Sequence, residues 1–142
     1  MVIKINTASV IGLEAFKVDV EIDIVNAMQQ GIVIVGLPDT AINEAASRVK
    51  SAIKNSDLAF PSKKIIVNLA PADLKKVGTH FDLPIAVGIL GEEDVIEKEK
   101  LKGYAFIGEL SLDGALRGVR GVLPLVMGVK SFGSENVIVP QD

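Results

Sequence analysis

From Lys17 to Val25 the chain reads KVDVEIDIV, in which Val18, Val20, Ile22 and Ile24 alternate with Lys17, Asp19, Glu21 and Asp23. A period of two sets the apolar side chains on one face, predicting a strand in an antiparallel sheet with its other face wet. The opening residues VIKIN alternate in the same way. The next run, GIVIVGLP at 31–38, is continuously apolar and β-branched, so it is expected to lie deeper than its neighbour.

Past Pro38 the period changes. Asp39 or Thr40 can cap a helix on which Ile42, Ala46, Val49 and Ile53 form one buried stripe. At 100° per residue Glu44, Ser47, Arg48, Ser51 and Asn55 point away from that stripe, and Lys50 and Lys54 flank it. KKIIVNLAP then reads as a buried strand. In FDLP, Asp82 is the expected N-cap of a second helix and Pro84 suits its first turn, where a missing N–H costs nothing. GEEDVIEKEKLK is expected to be exposed, as a short helix or loop. YAFIGELSLDGALRGV reads as one hairpin turning at Asp113-Gly114. Pro124 opens a third helix expected to stop near Gly133, and VIVP at 137–140 is a last strand. The order βββαβαββαβ predicts an α+β domain, a mixed sheet packed with helices. The chain stops at Pro140-Gln141-Asp142 with no polar tail, as expected of a segment of something longer.

Composition narrows the chemistry. At 142 residues with 49% hydrophobic and 23% charged side chains, the chain has the size and core of one folded domain. With no Cys and a single His, thiolate nucleophiles, disulfides and histidine or cysteine metal sites are excluded. No signal peptide is legible, and the apolar runs are too short to span a bilayer, so a soluble cytoplasmic protein without membrane contact is expected. No Trp and one Tyr leave little for stacking single-stranded bases.

Charge is unevenly placed. Residues 1–47 carry a net −4 and residues 77–142 a net −4, whereas 48–76 hold seven basic and two acidic side chains, a net +5. Arg48, Lys50, Lys54, Lys63, Lys64, Lys75 and Lys76 are therefore the candidate contacts for an anionic partner such as nucleic acid, against the plainer reading of a solvated face.

Motifs for other chemistry are mostly missing. A P-loop needs a Gly-Lys pair, and none occurs; the dinucleotide fingerprint G-x-G-x-x-G is absent too. Glu92-Glu93-Asp94 offers carboxylates to a hard cation, but such a run is usually only solvated. In KKVGTHFDLP, N–H groups at a helix start could hold an anion near Lys75, Lys76 and His80, unless Asp82 already occupies them as the cap. Thr79 beside His80 is not by itself a nucleophile and base, because adjacent residues rarely face each other. Glu109, Ser111 and Asp113 in GELSLDG read most simply as hairpin polar residues.

Three blocks in order, GLPDTAINEAASRVKSAIKNS, VNLAPADLKKVGTHFDLPIAVGIL and FIGELSLDGALRGVRGVLPLV, resemble the N-terminal domain of ComM-type magnesium-chelatase-like proteins over nearly the whole chain, 1–140. The resemblance implies one domain, 1–142, with a fold like the Lon proteolytic domain and the second domain of a small-subunit ribosomal protein. It also implies a downstream AAA+ ATPase module, absent from this chain, which takes ATP and Mg. Family proteins assemble as hexameric rings, with DNA branch migration in natural transformation as the associated activity. The expected partners are this chain's own AAA+ module, neighbouring ring subunits and DNA.

Lon-type peptidases carry their Ser in a G-P-S-A-G bend and a Lys at the start of the following helical segment. Superposed on this chain, those positions hold His80 and Leu123. Neither can act as a Ser-Lys dyad, so the resemblance implies a non-catalytic accessory domain with no catalytic, cofactor-binding or metal residues of its own. The alternatives are a degenerate Lon-like domain that binds peptide, or a hydrolase with a displaced pair such as Thr79 with Lys75 or Lys76.

Overall fold

The computed structural model describes residues 2–37 and 39–141, apart from the side chains of Asp39 and Ile42. Two long strands, β1 (Val2–Ile11) and β2 (Glu14–Val25), pair antiparallel from Val2↔Asp23 to Ile11↔Glu14. β2 buries Val18, Val20 and Ile22 and leaves its charged positions partly or wholly exposed, as the alternation requires. β3 (Gly31–Val35), α1 (Asp39–Asn55) and β4 (Lys64–Ala70) follow. Next come α2 (Asp82–Glu92), a 3-10 turn at Lys98–Leu101 and β5 (Tyr104–Phe106). The chain closes with β6 (Glu109–Leu110), β7 (Leu116–Arg117), α3 (Val122–Ser131) and β8 (Asn136–Ile138).

Six strands form one mixed sheet in the order β3-β4-β2-β1-β5-β8, and β6-β7 form a separate ribbon. The α+β class is as expected. α1 and α2 cover one face, where Ile5, Val20, Ile22, Val67 and Leu69 meet Val49, Ile53, Ile85 and Ile89. α3 covers part of the other face, with Leu125 and Val129 on Ala8, Ala105 and Ile107. α2 is the most enclosed helix because a Cβ at Gly88 would sit only 2.3 Å from Ile22 Cδ1, so glycine there lets the helix axis approach the sheet.

Four expectations are corrected. β3 is not deeper than its neighbour: it is an edge strand paired only with β4, and Val33 and Val35 are 44% and 50% exposed on the face no helix covers there. An apolar run marks a buried strand only where both faces are covered. The expected single hairpin is split. Tyr104–Phe106 joins the main sheet parallel to β1 and β8, while Gly108 N–H donates to His80 O (3.1 Å) and Gly108 O accepts from Leu83 N–H (3.1 Å). The backbone is thereby pinned to the start of α2, and only Glu109–Leu110 is left to pair with Leu116–Arg117 around the Asp113-Gly114 turn.

Asp82 is not an N-cap. Phe81 occupies that position without a side-chain cap, and Asp82, the first helical residue, turns its carboxylate to stronger donors on another helix. Finally, the buried stripe of α1 runs through Ala45, Val49, Ala52 and Ile53, rotated from the expected one, which brings Arg48 against α2 instead of into solvent. Ile42 and the proposed cap Asp39 lie outside the described side chains, and Thr40 is already within the helix. Pro84 does sit in the first turn of α2, and α3 ends at Ser131, close to the expected stop.

Candidate functional site

A cavity of about 530 Å³ opens beside the start of α2 and is lined among others by Val10, Val77, Thr79, His80, Glu109 and Arg120. His80 is 4% exposed and donates Nε2–H to the Ala8 carbonyl at 2.7 Å. A carbonyl only accepts, so the ring proton is fixed on Nε2. Burial pushes the His80 pKa below its ordinary value, partly opposed by the Ala8 hydrogen bond, and the imidazole is held neutral. Its ring also packs on Phe81, with centroids 4.1 Å apart. Leu123, the other residue singled out with His80, is 69% exposed on α3, and it is Leu125 that lines the cavity.

Thr79 lines the His80 cavity, whereas Lys75 and Lys76 line a different one at the end of β4. Ser111 and Asp113 serve the turn: the Ser111 hydroxyl donates to Asp113 Oδ1, and Ala115 N–H donates to Ser111 Oγ at 3.0 Å. Hydrogen bonds from Ser111 first, and then from the Ala115 N–H, hold the exposed Asp113 carboxyl below its ordinary pKa.

The acidic run is dispersed among lysines. Glu92 pairs with Lys98 at 3.3 Å and Glu93 with Lys63 at 3.4 Å, while Asp94 is exposed at the end of α2. Among the described residues no three His, Asp or Glu side chains converge as metal ligands. No described helix is long and apolar enough to cross a membrane.

The seven basic candidates fall into three environments. Arg48 is committed to the core: its Nε and Nη2 donate to Asp82 Oδ2 and Oδ1 at 2.6 and 3.1 Å, and Leu110 N–H donates to Oδ2 at 3.1 Å. Burial pushes the Asp82 carboxyl up, Arg48 and the Leu110 N–H pull it back, and the Asp82 hydrogen bond holds Arg48 above its ordinary value. The motif that could have revealed this pair is an acid following the Gly78 bend together with a lone Arg on the preceding helix, and a helical wheel drawn on the wrong stripe hides it.

Lys50, Lys54, Lys63 and Lys64 gather at one end of the sheet. The last turns of α1 carry Lys50 and Lys54, which line a cavity of about 440 Å³ with Gly31 and Phe60. Lys64 is in register with Gly31, and Gly31 N–H donates to Lys63 O at 3.2 Å, so Lys63 and Lys64 start β4 at that same end of the sheet, Lys63 turned to Glu93 at 3.4 Å and Lys64 on the strand face opposite the buried Ile65. Lys50 Nζ lies 5.7 Å from the Phe60 ring centroid, a cation–π contact that holds it at the cavity rim. Lys75 and Lys76 stand at the opposite end of β4, one exposed and one buried.

The fold is a mixed sheet with helices on both faces and a Gly-containing bend feeding α2. The chain belongs to the family of subunit ChlI of Mg-chelatase, whose model matches residues 20–142. It is 44% identical over 131 residues to the competence protein ComM of Haemophilus influenzae, covering 92% of this chain and 26% of that protein. It is 45% identical over 138 residues to YifB of Escherichia coli, covering 97% and 27%. This is the ComM-type branch of the family, and the chain spans only 26–27% of the length of these curated relatives.

Proposed function

We propose that this chain is a non-catalytic accessory domain of a longer, cytoplasmic AAA+ ATPase, contributing to ring assembly and contacting DNA. Kinship with ComM supports the motor context, and a quarter-length match leaves ample chain for it. ATP and Mg²⁺ belong to that further module. This chain has no Gly-Lys pair to cradle phosphates as a P-loop does, so its own part is to position and to bind.

The observation that supports the DNA reading is Lys50 and Lys54 on one cavity at the end of α1, with Lys63 and Lys64 starting β4 at the same end of the sheet; of the four only Lys63 has a carboxylate partner among the described ion pairs. Ammonium groups on flexible stems neutralise phosphates without reading sequence, which suits movement along DNA. The test compares the full-length protein with a version lacking residues 1–142 for ATP turnover and forked-duplex binding. ATP turnover that persists while DNA affinity falls at least tenfold is expected; unchanged DNA affinity would refute the contact role.

A second reading draws on β3. Its outer edge is unpaired and carries exposed Val33 and Val35, a geometry to which an extended peptide can add a strand. Chemical shift changes along 31–35 on adding unfolded polypeptide would favour it over the DNA reading.

A further inference from the structure

The cavity of about 530 Å³ beside the start of α2 is lined by two hydrogen-bond acceptors that the chain leaves unused. The first is His80 Nδ1. With the ring proton committed to the Ala8 carbonyl through Nε2, Nδ1 of the neutral imidazole carries a lone pair and only accepts. His80 is 4% exposed, yet no described residue donates to Nδ1. That nitrogen faces Gly78 in the cavity wall, where a Cβ would stand 2.9 Å from it, at a φ of +113°. Glycine at 78 therefore makes the bend and also leaves Nδ1 uncovered. The unpartnered Lys76 Nζ is closed to water, and Nδ1 is not among the atoms sealed in that way.

The second acceptor is the Glu109 carboxylate. Gly108 N–H donates to His80 O and Leu110 N–H to Asp82 Oδ2, each at 3.1 Å, so residues 108–110 run alongside 80–82 and bring Glu109 to the same cavity. The Glu109 side chain is 23% exposed, and its nearest cation, Arg117 Nη1, stands 3.9 Å from Oε2, beyond hydrogen-bond reach and itself largely in solvent. Arg120 also lines the cavity and is exposed to water. The rest of the wall is chiefly apolar, with Val10, Val77, Val119 and Leu125. Acceptors withdrawn from water without donors are costly, and a ligand that supplies donors removes that cost. An ammonium brings three donors, no acceptor and the charge that suits a carboxylate, whereas an anion would meet the Glu109 charge.

We propose that this cavity binds a primary ammonium group on an apolar stem, with Glu109 supplying the counter-charge, His80 Nδ1 accepting one N–H, and Val10, Val77, Val119 and Leu125 enclosing the stem. Its volume falls within the roughly 300–1,000 Å³ of small-molecule sites. Burial keeps the imidazole uncharged, so it does not repel the cation. The cavity shares no lining residue with the one that holds Lys50 and Lys54, and the site stands whether or not those lysines contact DNA. The ammonium belongs either to a free amine or to the N-terminus of a polypeptide, the same chemistry from two sources.

The experiment follows amide shifts of the 142-residue protein at neutral pH during titration with two ammonium probes, hexylammonium chloride and a short peptide beginning in leucine. Their controls are sodium hexanoate and the same peptide with its N-terminus acetylated, at matched ionic strength. Saturable shifts at 77–80, 109 and 118–121 are expected for at least one ammonium probe, with an affinity at least tenfold above its control, and the probe that saturates assigns the source. Saturation by neither probe, or controls that bind as tightly, overturns the site. Glu109→Gln is expected to lose at least tenfold in affinity for the saturating probe, and an unchanged affinity overturns it too. If that variant does not fold, the ring ¹⁵N signals of His80 decide: Nδ1 must move upfield as it gains a donor while Nε2 stays in place, and an unmoved Nδ1 refutes the proposal.

Discussion

Replacing Arg48 with Met removes both guanidinium donors from a carboxylate that is 1% exposed and leaves it one partner, the Leu110 N–H at 3.1 Å. Breaking a buried pair from one side strands an uncompensated charge, at a cost of about 3–5 kcal/mol. With a urea slope of roughly 1–3 kcal/mol per molar, the midpoint should fall by about 2 M. Because burial already pushes Asp82 above its ordinary value, loss of Arg48 pushes it further. A carboxyl whose folded pKa lies above the unfolded one favours folding at low pH and loses that contribution as pH rises, so the defect of Arg48→Met should shrink as pH falls towards about 4.

The double variant Arg48→Met with Asp82→Asn should recover most of the loss and sit about 1–2 kcal/mol below the parent, because an amide costs far less to bury than a carboxylate. Urea denaturation of the four proteins between about pH 4.5 and 7.5 measures all of this. An Arg48→Met stability within about 0.5 kcal/mol of the parent at neutral pH would refute the reasoning, since that is the expectation for a solvated surface pair.

His80 sets a second pH dependence. Its folded pKa lies below the ordinary value of about 6.5, so the unfolded state binds more protons below that pH; stability should be full above about 6.5 and fall as pH drops, and His80→Asn should flatten that segment of the stability profile. Gly88→Ala forces a methyl to 2.3 Å from Ile22 Cδ1, and denaturant titration should show a loss of about 1–3 kcal/mol from overpacking, not the small gain a helical Gly→Ala gives in open space.

Strands with one wet face were legible because alternation is a local signal: Val18, Val20 and Ile22 are buried, as their spacing predicts. The depth of β3 was not, because its apolar run says nothing about how many neighbours the strand has, and the sheet order puts it at an edge. The Arg48–Asp82 pair joins residues 34 positions apart, beyond any local pattern, and the cap preference of Asp82 pointed to a nearer and weaker use of the same carboxylate. At the site, the bend around Gly78, Thr79 and His80 was visible in sequence, and so were the seven cations. Their separation into a core ion pair, four lysines towards one end and two at the other, Lys75 exposed and Lys76 buried, depends on the course of β4, which carries Lys63 and Lys64 to one end of the sheet and Lys75 and Lys76 to the other.

The most direct measurement of the accessory, DNA-contacting role is the salt dependence of duplex binding by the protein and by a variant with Lys50, Lys54, Lys63 and Lys64 changed to Gln. Every phosphate left without its lysine should flatten the plot of log affinity against log salt by about 0.9, so a decrease in slope of roughly 3–4 with unchanged folding stability is expected. Equal slopes for the two proteins, or no binding by either at low salt, would contradict it.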